Sequence, residues 1–452
     1  MTSNYKLFKV QPEFLNTLTA DEKKILPILI EAAKKVDKIY LLQKDDQFPG
    51  GNLYPPNVTK EEVEEAAKSN PLILDYYSIV EKDKSGNLTA VPYHQRFGPQ
   101  LKEITEIIRR AAGISKNPSF KNYLNTLCES LLEGNYEKLD MAWLGVEGSN
   151  IDFTLAPYES DIDKLIGFKR AYQAHVGIIN EPRTLQAKNI KDVLFLNPGP
   201  RPHHMTNKNV QIQVQEVVIF SGLLGESLYS REHLPTNYET REKYGSKIIG
   251  YLTTIDLKFE KLILPIFNSL FEKKFRDRYP VELLKKGNYY HALFYGLARQ
   301  IHKYPGAQER LKELFAIFDQ ANNLVSGIQH TKHLILKGVI VQKELEAAMI
   351  TQICWMFSEW VVNRESKFRE PILKGDALIL RFLISSGALQ EQDGVSWPNF
   401  AKMFFEIENL SSIFNRFLEE VSYIEAKEFL DQYLTLDTFR KFDDRLSKIK
   451  PL

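Results

Sequence analysis

The sequence predicts an α-rich α+β protein built from more than one structural unit, and three observations carry that prediction. The chain has 452 residues, about three times an ordinary domain, which calls for two or three units. Hydrophobic residues make up 43% and aromatics 12% of it, enough for a large packed core and too much for a disordered chain. A 3.6-residue apolar period runs from about residue 247 to the C-terminus, while β-like runs are confined to about 75 to 240.

The elements follow in order. Thr19 with Glu22 has the spacing of a capping box and opens the apolar run Ile25 to Leu42. Pro27 lies in the first turns of that run and is expected to start or kink the helix there. A second box, Thr59 with Glu62, opens another helix. The runs YYSIV and LTAVPY flank KDKSGN and read as a β-hairpin. From Gln100 the helical period returns, with Leu101, Ile104, Ile107, Ile108 and Ala111 on one face, then Phe120, Leu124, Leu127 and Leu131 on the next. Strands are expected at IDFTLAP, AHVGII and VQIQVQEVVIF. Before the last of these, LNPGPRPHHMTN is the densest Pro/Gly stretch and the best loop or hinge in the chain.

Composition excludes several function classes. Lys plus Arg is 59 and Asp plus Glu is 58, so there is no basic footprint for nucleic acid or an anionic membrane. The two cysteines, Cys128 and Cys354, are too few for a disulfide framework or a thiolate zinc cluster and suit a reducing compartment; both fall on apolar helical faces and are expected to be buried and inert. No apolar run reaches the roughly 18 residues of a spanning helix, and the N-terminus lacks the apolar stretch of a secretory signal. A cytoplasmic protein is expected. There is no nucleophile elbow, P-loop or dinucleotide fingerprint.

Four phrases, APYESDIDKLIGFKRAYQAHVGI (156 to 178), HLPTNYETREKYGSKIIGYLTTIDLKFEKLILPI (233 to 266), LKELFAIFDQANNLVSGIQHTKHLILKGVI (311 to 340) and the C-terminal YIEAKEFLDQYL, resemble the dipeptidyl peptidase III family of zinc peptidases, in particular its bacterial and Nudix-associated branch. The likeness covers most of residues 20 to 435. It implies two lobes with a central cleft, a mixed α/β lobe with a small sheet or barrel from 1–165 plus about 200–245, and a mainly helical lobe from about 166–199 plus 246–452. The zinc-site helices would be 288–302 and 308–336.

That family's chemistry needs a helix carrying HExxH, whose two His at i and i+4 share a face and bind zinc while the Glu acts as general base; a second helix adds a Glu ligand. Aligning the family's Gly-Leu with Gly296-Leu297 sets the motif on His291, Ala292, Leu293, Phe294 and Tyr295. The base becomes the methyl of Ala292, the second His becomes Tyr295, and the ligand Glu becomes Gln320. A complete structural zinc site is worth about 10–16 kcal/mol over about four ligands; one imidazole, an amide and a phenol retain a small part of that. No cofactor is therefore expected, zinc included, although zinc is the family's metal.

The resemblance also implies a peptide site, altered here: the family's Asn-x-Pro-Asn anchor reads His233, Leu234, Pro235, Thr236, while Tyr158 and Glu159 persist. The stretch 365 to 376, where the family has a further His, contains none. Three His pairs invite comparison. His330 and His333 stand three apart on an expected helix, with an exposed polar face as the plain reading and shared ligation of one metal as the alternative, for which the sequence names no third ligand; a zinc peptidase would draw ligands from His330, His333 or His302 beside His291. His291 and His302 are separated by about 16 Å of helical rise and cannot share an ion. His203 and His204 fall in the Pro-rich loop. The function expected is that of a catalytically inactive peptidase homologue binding a peptide or protein partner in the cleft. The alternatives are an enzyme of different chemistry around His291, Tyr295 and Glu159, or a zinc peptidase with recruited ligands.

Overall fold

The computed structural model of the chain describes residues 3–196, 209–301, 304, 306–366, 369–392 and 395–452. The Pro-rich stretch after Leu196, with His203 and His204, and also His302, lie outside them. The chain divides into two compact units, one of Met1–Thr184 with Asn209–Thr253, the other of Leu185–Lys208 with Thr254–Leu452.

The first unit is mixed. Its sheet contains β1 (Lys6–Leu7), β4 (Ile151–Glu159), β5 (Ala171–Ile179), β6 (Val210–Gly222), β7 (Arg231–Leu234) and β8 (Ser246–Tyr251) in the order β4-β5-β6-β8-β7, with β1 beside β6. All pairs are antiparallel except β6 with β8. A separate hairpin, β2 (Ser78–Lys82) with β3 (Leu88–Pro92), is the one expected from the sequence. Its turn is closed by Asp83, whose Oδ1 accepts from Ser85 N at 2.8 Å and Asn87 N at 2.9 Å, with Gly86 at φ +85°.

Register fixes what each face of the sheet does. Phe153 pairs with Val176, Leu155 with Ala174 and Ile151 with Ile178. This apolar face shares one core with the helices Ala20–Gln43, Gly98–Ile114 and Pro118–Glu133. The opposite face carries Asp152, Thr154, Gln173 and His175, and these too are buried. Both capping boxes form: Glu22 Oε2 accepts from Thr19 N at 2.9 Å and Glu62 Oε2 from Thr59 N at 2.7 Å. The first helix starts at Ala20, upstream of Pro27, and runs on through it to Gln43; the box outweighs the proline as the start signal.

The second unit is helical, with Val281–Ile301, Phe315–Gln329, Gln342–Asn363, Glu370–Ser385 and Phe400–Glu419 as its longest helices. Two features depart from the uniform helical pattern read from about residue 247. Ser246–Tyr251 is a strand of the first unit's sheet, and β9 (Leu389–Gln392) pairs with β10 (Val395–Pro398) as a hairpin. Cys128 and Cys354 are both buried and free; burial pushes the Cys128 thiol up to about 11, which removes the thiolate that reactivity needs.

Candidate functional site

The helix Val281–Ile301 carries His291, Ala292 and Tyr295, and the helix Phe315–Gln329 carries Gln320. Glycine lets them approach: a Cβ on Gly327 would stand 3.1 Å from the backbone of Phe294. Across this seam the Tyr295 hydroxyl donates to Gln320 Oε1 at 2.6 Å. Gln320 Nε2 in turn donates to Asp376 Oδ1 at 3.2 Å, on the helix Glu370–Ser385. Gly375 permits that third contact, since a Cβ there would meet Ile317 O at 2.9 Å and Gln320 Cγ at 3.1 Å. Burial, reinforced by the nearby Glu359, holds the Asp376 carboxyl well above the usual range despite the hydrogen bond from Gln320. The chain Tyr295–Gln320–Asp376 therefore ends on a carboxyl that burial biases toward its protonated form.

His291 is buried, its ring 6.5 Å from that of Tyr295 and 6.1 Å from that of Trp355, centroid to centroid. Trp355 is fixed by donating from Nε1 to Asn288 Oδ1 at 2.7 Å. Ala292 is buried and offers only a methyl group. The structure thus brings together Tyr295 and Gln320, two positions that only the resemblance had linked, and places His291 one helical turn from Tyr295. His330 and His333 do not share a helix. The helix ends at Gln329, a new turn starts at Lys332, and His330 is buried at 3% exposure where an exposed face was expected. Among the described residues, no three His, Cys, Asp or Glu side chains are grouped so as to hold a metal ion.

In the first unit the other predicted residues also meet. Thr236 Oγ1 donates to Tyr158 O at 3.1 Å, linking the segment after β7 to the end of β4, although these strands stand at opposite ends of the strand order. The sheet is curled. His233 Nδ1 accepts from Arg241 at 2.8 Å. Tyr158 is 3% exposed and its hydroxyl lies beside Asp140, so it faces inward and offers no surface group. Glu159, at the last position of β4, is partly exposed.

Sequence reasoning missed the interior of the curl. His175 Nε2 lies 3.3 Å from Asp152 Oδ2, and its Nδ1 lies 2.8 Å from Thr154 Oγ1 and 3.1 Å from the Tyr251 hydroxyl. That hydroxyl donates to Glu232 Oε2, while Glu232 Oε1 accepts from Gln173. Asp152 also accepts from Trp143 Nε1 at 2.9 Å and from Gln215 at 2.5 Å. Lys247, 5% exposed, sits 4.2 Å from the centroid of the Trp143 ring. The available signal was the polar member of each alternating strand, but only register shows that these members converge.

Comparison with solved structures decides the fold. The structure of dipeptidyl peptidase III from Caldithrix abyssi superposes with a TM-score of 0.87 at 21% identity, over 98% of this chain and 95% of that one. The chain has the dipeptidyl peptidase III fold. Dipeptidyl peptidase III from Corallococcus sp. strain EGB agrees, with a TM-score of 0.80 at 20% identity over 98% and 93% of the two chains. Among curated proteins, Nudix hydrolase 3 of Arabidopsis thaliana is 24% identical over 80% of this chain and 51% of its own. This dipeptidyl peptidase III-like chain spans about half the length of that relative. No protein-family profile matches it.

Proposed function

We propose that this dipeptidyl peptidase III-like protein lacks the zinc peptidase chemistry and acts by binding a peptide or protein partner. The hydrogen bond from Tyr295 to Gln320 carries this reading. If the motif aligns as the resemblance implies, the positions of the second His and the third ligand are spent on each other, as hydroxyl donor and amide acceptor. A zinc site of this type needs two imidazoles and a carboxylate, with one coordination position left open. Here the donor set is one imidazole, an amide and a phenol, and it does not fit the metal. At Ala292, moreover, no group is present to take a proton from water. Peptide or protein binding is supported by retention of the whole fold and by the Thr236–Tyr158 link, which keeps the altered anchor phrase beside the retained Tyr158.

Restoration tests it. The triple variant Ala292→Glu, Tyr295→His, Gln320→Glu is titrated with zinc by calorimetry beside the wild type. The triple variant is expected to bind zinc and the wild type not to. Tight zinc binding by the wild type contradicts the reading. A folded triple variant that takes up no metal contradicts the alignment on which it rests.

A further inference from the structure

The interior of the curled sheet holds four ionisable groups that the proposed function does not use: Asp152 on β4, His175 on β5, Glu232 on β7 and Lys247 on β8, bridged by the Tyr251 hydroxyl. All are 5% exposed or less. Charges so buried are tolerated only when they nearly cancel, because desolvating an uncompensated charge is costly. Burial alone would raise the pKa of Asp152, but the His175 hydrogen bond and the Lys247 charge bring it below the usual carboxylate range. Asp152 is therefore ionised, with His175 at 3.3 Å; burial lowers the Lys247 ammonium and the Asp152 charge opposes that, so Lys247 is taken as the compensating cation. That leaves His175 and Glu232, joined through Tyr251, and one proton between them makes the interior neutral. Without that proton the interior carries one uncompensated negative charge.

Among the described residues, the flanking polar groups do not offset it. Gln173 Oε1 and Gln215 Oε1 are buried acceptors without a donor, and their amide hydrogens already go to Glu232 and Asp152. Tyr158 and Tyr229, the other titratable groups that sense Glu232, are themselves held in the neutral form by burial. Asp152 adds like charge from across the sheet. Of the strands holding the network, β7 is the weakest: it has four residues and terminates the strand order on β8.

We propose that one proton, shared along His175–Tyr251–Glu232 opposite Asp152, holds β7 in the sheet, and that its loss on rising pH loosens β7 together with Pro235 and Thr236, which follow it. Burial raises the Glu232 carboxyl above its ordinary value, more than His175, Tyr251 and Gln173 lower it. A raised folded value means that the stabilisation is complete at low pH and is lost as pH rises through that value. The device rests on the peptide-binding reading only for its consequence, control of the segment aligned with the peptide anchor.

The test uses metal-free and peptide-free full-length protein. Hydrogen exchange is followed over a pH series, corrected for intrinsic exchange, comparing the β7 amides with those of β5. Protection of β7 is expected to fall about tenfold per pH unit above the midpoint, the slope of a single linked proton, while β5 holds. Glu232→Gln, which imitates the protonated acid, is expected to flatten the dependence; Glu232→Met serves if the amide is not recovered folded. A wild-type β7 whose protection tracks β5 at every pH overturns the proposal, as does a neutral variant that keeps the wild-type slope. Zinc binding by the wild type would sink the proposed function and leave this result standing.

Discussion

Two buried cations in the first unit show how differently the same residue type can be held. Lys169 donates to Ile73 O at 2.7 Å, Asp75 O at 2.8 Å and Ser78 Oγ at 2.7 Å, so all three of its hydrogens are placed. Burial still pushes its ammonium down, to about 8. Lys247 has the Trp143 ring and the charge of Asp152. Removing that charge should therefore be severe. Asp152→Asn, which also ends the 3.3 Å pairing with His175, is expected to cost about 3–5 kcal/mol of unfolding free energy, the range for breaking a buried ion pair from one side, read from urea denaturation at neutral pH. Asp152 has a lowered folded pKa, so its contribution is present above the unfolded value of about 3.9 and disappears as pH falls through the folded one. The cost of Asp152→Asn should shrink in acid accordingly. A change below about 1 kcal/mol, typical of an exposed pair, would mean that Lys247 has other support.

At the scale of elements, the helix seams depend on glycines more than on side-chain chemistry. A Cβ on Gly287 would meet Ala347 backbone C at 2.4 Å, so neither helix can yield without moving. Gly287→Ala is expected to lower stability by about 1–3 kcal/mol, as overpacking does, although alanine is the better helix former; a gain in melting temperature would show that the seam is looser than described. Most elements of this kind were legible in the sequence. Both capping boxes, the 78–92 hairpin and the long amphipathic helices were marked by local spacing, and local spacing is what a single sequence records. The sheet interior was not legible. In IDFTLAP and AHVGII alternation alone does not say where the polar members point, and only the pairing of Thr154 with His175 and the curl that brings Glu232 to Gln173 turn them inward. Ser246–Tyr251 was lost for a related reason: a short apolar run next to a helical pattern has no period of its own. The break between His330 and His333 lacked a Gly or Pro to announce it. Of the candidate site, the resemblance supplied Tyr295 and Gln320, whereas their partner Asp376 came from the third helix and had no sequence signal.

At the scale of the whole molecule, the two units have separate interiors, the first mixed and the second helical. Calorimetric unfolding is therefore expected to give a calorimetric enthalpy larger than the van't Hoff enthalpy, the sign of more than one cooperative block; equal values would show the chain melting as one. No helix among the described residues is long and apolar enough to cross a membrane. The dipeptidyl peptidase III fold is kept over 98% of the chain, while under the proposed alignment the positions of base, second His and third ligand are Ala292, Tyr295 and Gln320. The claim that follows, that this fold here works without zinc, is tested most directly by elemental analysis of the full-length protein after expression with added zinc and gel filtration. The account predicts zinc far below one equivalent per chain. One equivalent that persists through gel filtration and leaves only with a strong chelator would contradict it.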